Sequence, residues 1–503
     1  MGVWEPNDEK VTRDKQGDLA SVSHKATVRR PGVRAPIGAM KRRNGRGAKA
    51  GQGSGNVKNT QKEKQPSAVP SRAKQGGEIP ARWAWVEPTV WTTRMLAALE
   101  NGVKGGRWFS LMDKVYAPAN LAAAWKRVRS NRGAAGVDHQ SVEMFERHAS
   151  KYLEELHREL REGRYRPSPV RRQWIPKPGA TEGRPLGIPT VRDRIVQSAL
   201  CHVLEPIWEV KFADQSYGFR PGRSCKDALR RVDELLHAGF TWVVDADIQS
   251  YYDSIDHGRL QVEVAKEIAD GKVLGLVEAL LEQPVMDEAS RWTPEEGIPQ
   301  GSSLGPLMAN VYLHPVDNVM VREGYELTRY ADDLVVLCRT EQEAETALAR
   351  LRKEMARCGL TLHPEKTKVV DMSQPGGFDF LGYHFEYAKK WPRKKSVVKL
   401  KDNVRGLTKR NNGNSLATII ARLNAVLRGW FNYFKHSYRT TFKPLDGWVR
   451  MRLRSILRRR HKARGAGRGL SHLRWPNAYF AKLGLFTMTT ARASARRSPQ
   501  GAH

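Results

Sequence analysis

Two adjacent carboxylates, Asp332 and Asp333, sit inside the run Leu327 to Leu337, LTRYADDLVVL. Apolar residues flank a tight Ala331-Asp332-Asp333 corner, which predicts a β-hairpin with both acids at its tip. Adjacent ionised carboxylates repel, so the arrangement is costly unless a cation sits between them. Hard divalent cations take oxygen ligands, and Mg²⁺ is usually held by one or two carboxylates plus substrate phosphates. Taken alone, Asp-Asp is more often a polar turn. The segment Thr241 to Ile248, TWVVDADI, supplies further acids. Asp245 and Asp247 lie two apart and share one face of a strand. Unpaired charge on a largely apolar strand is expensive, and a metal site explains at least one of them. Tyr251 and Tyr252 follow at once. Gly297 to Leu313, GIPQGSSLGPLMANVYL, is a Gly/Ser/Pro loop entering an apolar helix. Gly297 and Gly301 let backbone approach a ligand closely, and Gln300 offers both donors and an acceptor.

Cations are the other ingredient. Val170 to Pro178 and Arg184 to Pro189 read as the two arms of a hairpin around Pro178-Gly179, with Lys177 and Arg184 near one edge. A transferring phosphoryl group needs such a clamp, although two solvated cations are the plainer reading. Tyr217 to Arg223, YGFRPGR, mixes aromatics with Arg220 and Arg223. It suits a template strand, through stacking and phosphate contacts, or an ordinary packed turn. The Gly-Ala loop Ser130 to Asp138 places Arg132 where a phosphate could be reached.

The elements around these residues follow from periodicity. Helices are expected from Thr92 to Glu100, from Val142 to Leu160 with a stop at Gly163, and from Asp193 to Lys211. Another is expected from Glu341 to Cys358, followed by a strand from Val369 to Met372; a helix between strands after an acidic hairpin makes an α+β layer. Beyond 400 the chain turns helical. Leu416 to Phe434, with Ser415 as N-cap, forms one stripe and Leu445 to Leu457 another. Arg450, Arg454 and Arg458 recur on the opposite side of the second, a face suited to nucleic-acid backbone.

Lys and Arg total 86 of the 503 residues against 53 Asp and Glu, a net charge of +33. Such an excess predicts a polyanionic partner and salt-sensitive binding. No apolar run approaches the roughly 20 residues of a spanning helix, and the start lacks the apolar core of a secretory signal. The four cysteines show no C-x-x-C pairing and are expected to be reduced core residues of a cytoplasmic protein. Residues 1–82 are basic and poor in large apolar side chains, and are expected to form a disordered tail.

In order, Asp247, the loop at Gly297 to Leu313, Tyr330 to Asp333 (YADD) and Lys366 resemble the palm motifs of reverse transcriptases. The closer resemblance is to the group II intron-encoded reverse transcriptase/maturase family. It rests on NRGAAGVD, IPK…RPLGIPTVRDRIVQ, QSYGFRPGRS, DIQSYYDSIDH, GIPQGSSLGPLMAN, LHPEKTK, FLGY and LRGWFNYF, over residues 90 to 485. The resemblance implies an α+β right-hand polymerase whose fingers and antiparallel palm sheet precede an α-helical thumb/maturase domain. The implied divisions are an N-terminal extension at 83–140, fingers at 141–240, palm at 241–392, thumb at 393–470 and a short C-terminal segment at 471–503. No C-terminal endonuclease is expected.

The implied activity is RNA-directed DNA synthesis with two Mg²⁺ ions. It comes with binding of a group II intron RNA, help in its splicing, and target-primed copying from a DNA primer. Asp247, Asp332 and Asp333 would be catalytic, and with Ile248 would make the metal set. Lys177, Arg184, Gln300 and Lys366 would meet the deoxynucleoside triphosphate, and the Tyr252 ring would exclude a 2′-hydroxyl. Arg132, Arg220, Arg223, Gly301, Arg450, Arg454 and Arg458 would meet nucleic acid. Two other readings stay open: a splicing-only RNA-binding maturase, and a different template-dependent polymerase, either one that makes RNA on an RNA template or a domesticated or defence reverse transcriptase.

Overall fold

The computed structural model describes residues 81–176, 183–287, 290–463 and 469–497. The expected N-terminal tail, apart from its last two residues, lies outside them. Regular structure begins with a 3₁₀ turn at Ala81–Trp83. Trp83 and Trp91 are buried, and Trp91 packs edge-on against Trp108 while its indole N–H donates to the His202 carbonyl at 2.8 Å. The helix Thr93–Asn101 starts where Thr92 accepts from the Met95 N–H. The predicted run from Val142 to Leu160 divides into Val142–Glu146 and Ala149–Glu162, because His148 adopts a non-helical backbone between them. Phe145 then packs against both Trp125 and Tyr152. Gly163 closes the second helix in the left-handed conformation that glycine adopts without a Cβ penalty.

The fingers carry a four-stranded sheet. β1 (Val170–Pro176) and β2 (Gly183–Ile188) form the expected antiparallel pair, with Ile175 opposite Arg184. The helix Val191–Glu209 follows, capped by Thr190. In the palm, β3 (Trp242–Asp247) is followed by the short strands β4 (Val285–Asp287) and β5 (Ser290–Trp292), which extend the fingers sheet.

The palm sheet itself has the order β6-β7-β3-β8, from β6 (Glu326–Tyr330), β7 (Asp333–Cys338), β3 and β8 (Lys368–Asp371), all antiparallel. Alternation gives it two apolar faces. Val244, Ala246, Leu334 and Val336 join the core that includes the helices Gly305–Arg322 and Glu341–Arg357. Val243, Val335 and Leu337 face the helix Cys225–His237 and the residues Phe378, Phe380 and Phe385. Asp245, Asp247 and Asp333 continue this second face toward the open end of the sheet.

A small sheet of β9 (Phe378–Phe380), β10 (Tyr383–Glu386) and β11 (Lys389–Pro392) leads to the helical thumb. The thumb packs Lys394–Leu407, Leu416–Phe434 and Phe442–Arg460 around Leu423, Val449, Leu453 and Ile456. It is tied to the β9–β10 turn by two hydrogen bonds. Tyr383 Oη donates to the Tyr433 carbonyl and Tyr433 Oη to the Leu381 carbonyl, both at 2.7 Å.

Candidate active site

The hairpin forms as its sequence requires, with Ala331 in the left-handed region at φ +59° and Tyr330 paired with Asp333. Across the neighbouring strand, Asp247 stands directly opposite Asp333. Three carboxylates are thereby gathered from β3 and the β6–β7 turn. The Asp333 carboxyl is pushed up to about 6, first by desolvation, then by the charges of Asp332 and Asp247, with Arg393 opposing. Asp333 keeps an open flank to solvent, so the wall of the site, not full enclosure, desolvates it. Asp245, farther down the same face, is pushed up to about 7 by burial despite Lys368 at 4.0 Å, with Asp333, Asp379 and Asp247 adding to the rise.

Lys366 Nζ lies 2.9 Å from Asp247 Oδ2 and is the cation that Asp247 meets. It is placed there because the preceding chain runs beside β3. The His363 N–H donates to the Asp247 carbonyl at 2.8 Å, and Ile248 bridges to Leu362. Among the described residues, no three His, Cys, Asp or Glu side chains are close enough to form a ready-made metal cage. Mg²⁺ seldom uses one, since it is commonly held by one or two carboxylates with substrate phosphates completing the shell. The all-oxygen donor set fits a hard divalent cation, as do the desolvation and mutual repulsion that raise Asp333.

A buried network missed in the sequence fixes this turn. Arg329 and Asp317 are only 1% and 2% exposed at their side chains. Arg329 Nε donates to both Asp317 oxygens, at 2.8 and 3.0 Å. Its Nη1 donates to Asn310 Oδ1 and to the Ala331 carbonyl, both at 2.9 Å. Asn310 in turn donates to the Gly218 carbonyl at 2.8 Å. The guanidinium thus holds the carbonyl immediately before Asp332. The signal was present: Leu327 and Arg329 share one strand face, and a charge at an inward position requires a buried partner.

The nucleotide-side residues lie on the fingers flank. Tyr252 is half-buried, packed edge-on against Tyr251, and its hydroxyl is pushed up to about 12 by desolvation and then by the Asp332 charge. Its carbonyl accepts from the Ile298 N–H at 2.8 Å, which joins Tyr252 to the 297–301 loop. The Gln300 carbonyl accepts from the Gly187 N–H at 2.7 Å, docking that loop on β2. Gln300 also lines an open cavity of about 310 Å³ with Asp253, Gly187 and Trp292. Gly301, at φ +121°, approaches the Gly187 carbonyl so closely that a Cβ would lie 2.3 Å from its oxygen. Its close approach is to the chain's own fingers. Arg184 is exposed on β2, and Lys177 lies outside the described residues.

The predicted nucleic-acid arginines divide. Arg132 is exposed in a left-handed position at the end of the helix Pro118–Asn131, beside Lys126 and Arg129. Arg220 is not available: it is 5% exposed, paired with Glu209 at 2.8 Å, and donates to the Ala213 and Ser216 carbonyls. Arg223 is held by the Asp214 carboxylate and carbonyl, both at 2.6 Å. Arg454, expected to meet nucleic-acid backbone, is 1% exposed and donates to the Trp475 carbonyl and Asn477 Oδ1, each at 2.8 Å. The segment Trp475 to Phe480 covers that face of the Phe442–Arg460 helix, and Phe480 packs under the Arg454 guanidinium. Arg458 reaches Ser471 Oγ at 3.2 Å, and Arg450 is half-buried.

A palm sheet carrying three carboxylates, fingers bearing a β-hairpin and a helical thumb define a template-dependent nucleic-acid polymerase. Residues 175–385 match the reverse transcriptase (RNA-dependent DNA polymerase) family, and residues 397–475 match the group II intron maturase-specific domain. Protein YkfC of Escherichia coli K12 is 31% identical over 344 residues, covering 60% of this chain and 85% of its own length. The group II intron-encoded protein LtrA of Lactococcus lactis is 35% identical over 214 residues, covering 42% of this chain and 35% of its own. A COX1/OXI3 intron 1 protein of Saccharomyces cerevisiae is 32% identical over 199 residues, covering 39% and 24%. The chain thus spans most of YkfC but about a third or less of the two intron-encoded relatives. It belongs to the group II intron-encoded reverse transcriptase/maturase family, a class of RNA-directed DNA polymerases, and carries that family's polymerase and maturase domains in order.

Proposed function

We propose that this chain copies a group II intron RNA into DNA from a DNA primer and assists splicing of that RNA in the cytoplasm. The observation that carries the polymerase reading is the pairing of Asp247 with Asp333 beside Asp332. Asp247, Asp332 and Asp333, with Ile248 alongside, would hold two Mg²⁺ ions. Bound there, the ions would supply positive charge to acidify the primer hydroxyl and stabilise the leaving pyrophosphate.

The chain's own groups do the rest. Arg184, with Lys177, clamps the triphosphate of the incoming deoxynucleotide. Lys366, held at Asp247, would pass a proton to pyrophosphate. The Tyr252 ring, fixed through the Ile298 N–H and Tyr251, blocks a 2′-hydroxyl. The Arg329–Asp317 pair keeps the Asp332 turn in one conformation. The helical thumb, matching the maturase-specific domain, binds the intron RNA and supports target-primed copying.

Two experiments test this reading. RNA recovered with the purified chain, when sequenced, should contain a group II intron; recovery of unrelated RNAs alone contradicts the maturase part. The wild type should extend a DNA primer with deoxynucleotides in strong preference to ribonucleotides, and Tyr252→Ala should narrow that preference. Equal use of both by the wild type contradicts the role of the ring.

A further inference from the structure

The Tyr217 to Arg223 turn does not serve as its composition suggests. Its two arginines are spent on Glu209 and Asp214. Phe219 is the large side chain that it leaves outside, 53% exposed. Phe219 also has a left-handed backbone, φ +57°. An aromatic residue pays for that conformation, which persists only where the surroundings enforce it.

They do so here from three directions. A Cβ on Gly218 would lie 2.3 Å from the Ala331 nitrogen, so the turn is pressed against the catalytic hairpin. The Gly218 carbonyl accepts from Asn310, and the Tyr217 N–H donates to the Arg329 carbonyl at 2.9 Å. Arg220 anchors the far side. The Phe219 backbone is therefore held in place, and its exposed ring lies 6.4 Å from the Tyr330 ring, inclined at 43° to it.

That place has a direction. The groups assigned to the incoming nucleotide, Tyr252, Gln300 and Arg184, lie on the fingers flank. Tyr330 instead borders the apolar cluster of Val335, Leu337, Phe378 and Phe385, against which Leu381 of the β9–β10 turn and Trp430 and Tyr433 of the thumb also pack. Nucleic acid already copied must leave toward the thumb and pass this side of Asp332. We propose that Phe219 and Tyr330 form an apolar platform for the last nucleotides of the primer strand, contacting bases and sugars of any sequence. The inference rests on the polymerase reading above and adds to it a binding subsite made by the YGFRPGR turn. Aromatic contact with nucleic acid tolerates every base because each has a π-face.

The test uses the full chain and an RNA template annealed to a DNA primer with 2-aminopurine at its 3′ end. Phe219→Ala should weaken binding of this duplex roughly tenfold and relieve the quenching of 2-aminopurine. Incorporation at subsaturating duplex should fall by a similar factor. Phe219→Tyr should restore both binding and quenching. Phe219→Gly relieves the backbone strain and so should fold at least as stably, yet bind as weakly as Phe219→Ala. Wild-type affinity and quenching in the Ala and Gly variants would overturn the platform while leaving the polymerase reading intact. A wild-type chain that extends no primer would overturn the polymerase reading, and the binding comparison would still decide the platform.

Discussion

Removing one partner of the Arg329–Asp317 pair should be among the most damaging single changes in the palm. Both side chains are almost wholly buried, so Asp317→Ala leaves a guanidinium without its counter-charge, at a cost of about 3–5 kcal/mol. Arg329→Met should cost about as much by stranding the carboxylate. The double variant Asp317→Leu with Arg329→Met removes both charges together. What then remains is the loss of donors to the Ala331 carbonyl and Asn310 Oδ1, about 1–3 kcal/mol. The double variant should accordingly be more stable than either single variant in urea unfolding. Its single-turnover incorporation should nonetheless stay at least tenfold below wild type, because the carbonyl preceding Asp332 is no longer held. A loss below 1 kcal/mol for Asp317→Ala would refute the electrostatic argument. Wild-type incorporation by the double variant would refute the anchoring argument.

Other positions give independent checks. His202 is half-buried, bonded to Asn120 at 2.8 Å, and pushed down from 6.5 to about 4 by desolvation and then by Arg127. Between these values the unfolded chain binds a proton that the folded chain refuses. Stability is therefore full above 6.5 and falls as pH drops toward 4, by up to about 3 kcal/mol. Melts of wild type and His202→Gln across that window should differ in slope; identical slopes contradict the assignment. Gly301→Ala places a Cβ 2.3 Å from a backbone oxygen at φ +121°. It should lower deoxynucleotide affinity and stability together, with a strain cost of about 1–3 kcal/mol. Gly222→Ala, with positive φ but nothing within 4 Å, should cost less than Gly301→Ala in a melt and leave nucleotide affinity unchanged.

The catalytic hairpin, the strand near Val369 to Met372 and the main thumb helices were legible because apolar period and turn chemistry fix them locally. Asp247 could be placed beside Asp332 and Asp333 through the resemblance to the reverse transcriptase palm motifs, since alternation shows which face a residue takes but not which strand lies next to it. Arginine function was less legible, since exposure depends on segments distant in the chain. Arg220 meets Glu209 from the preceding helix, and Arg454 is covered by Trp475 to Phe480. In both cases a basic turn or stripe looked like a nucleic-acid surface and was instead a buried joint. The break at His148 and the strands β4 and β5 escaped for another reason: three-residue pairings and single non-helical residues leave no period to read.

Incorporation of one deoxynucleotide into a DNA primer on an RNA template, with Mg²⁺ supplied, tests the central claim most directly. Wild type should form product, whereas Asp332→Ala and Asp247→Ala should lose at least a thousandfold in rate while still binding the primed template. Undiminished incorporation by either variant would contradict a polymerase centre built on Asp247, Asp332 and Asp333.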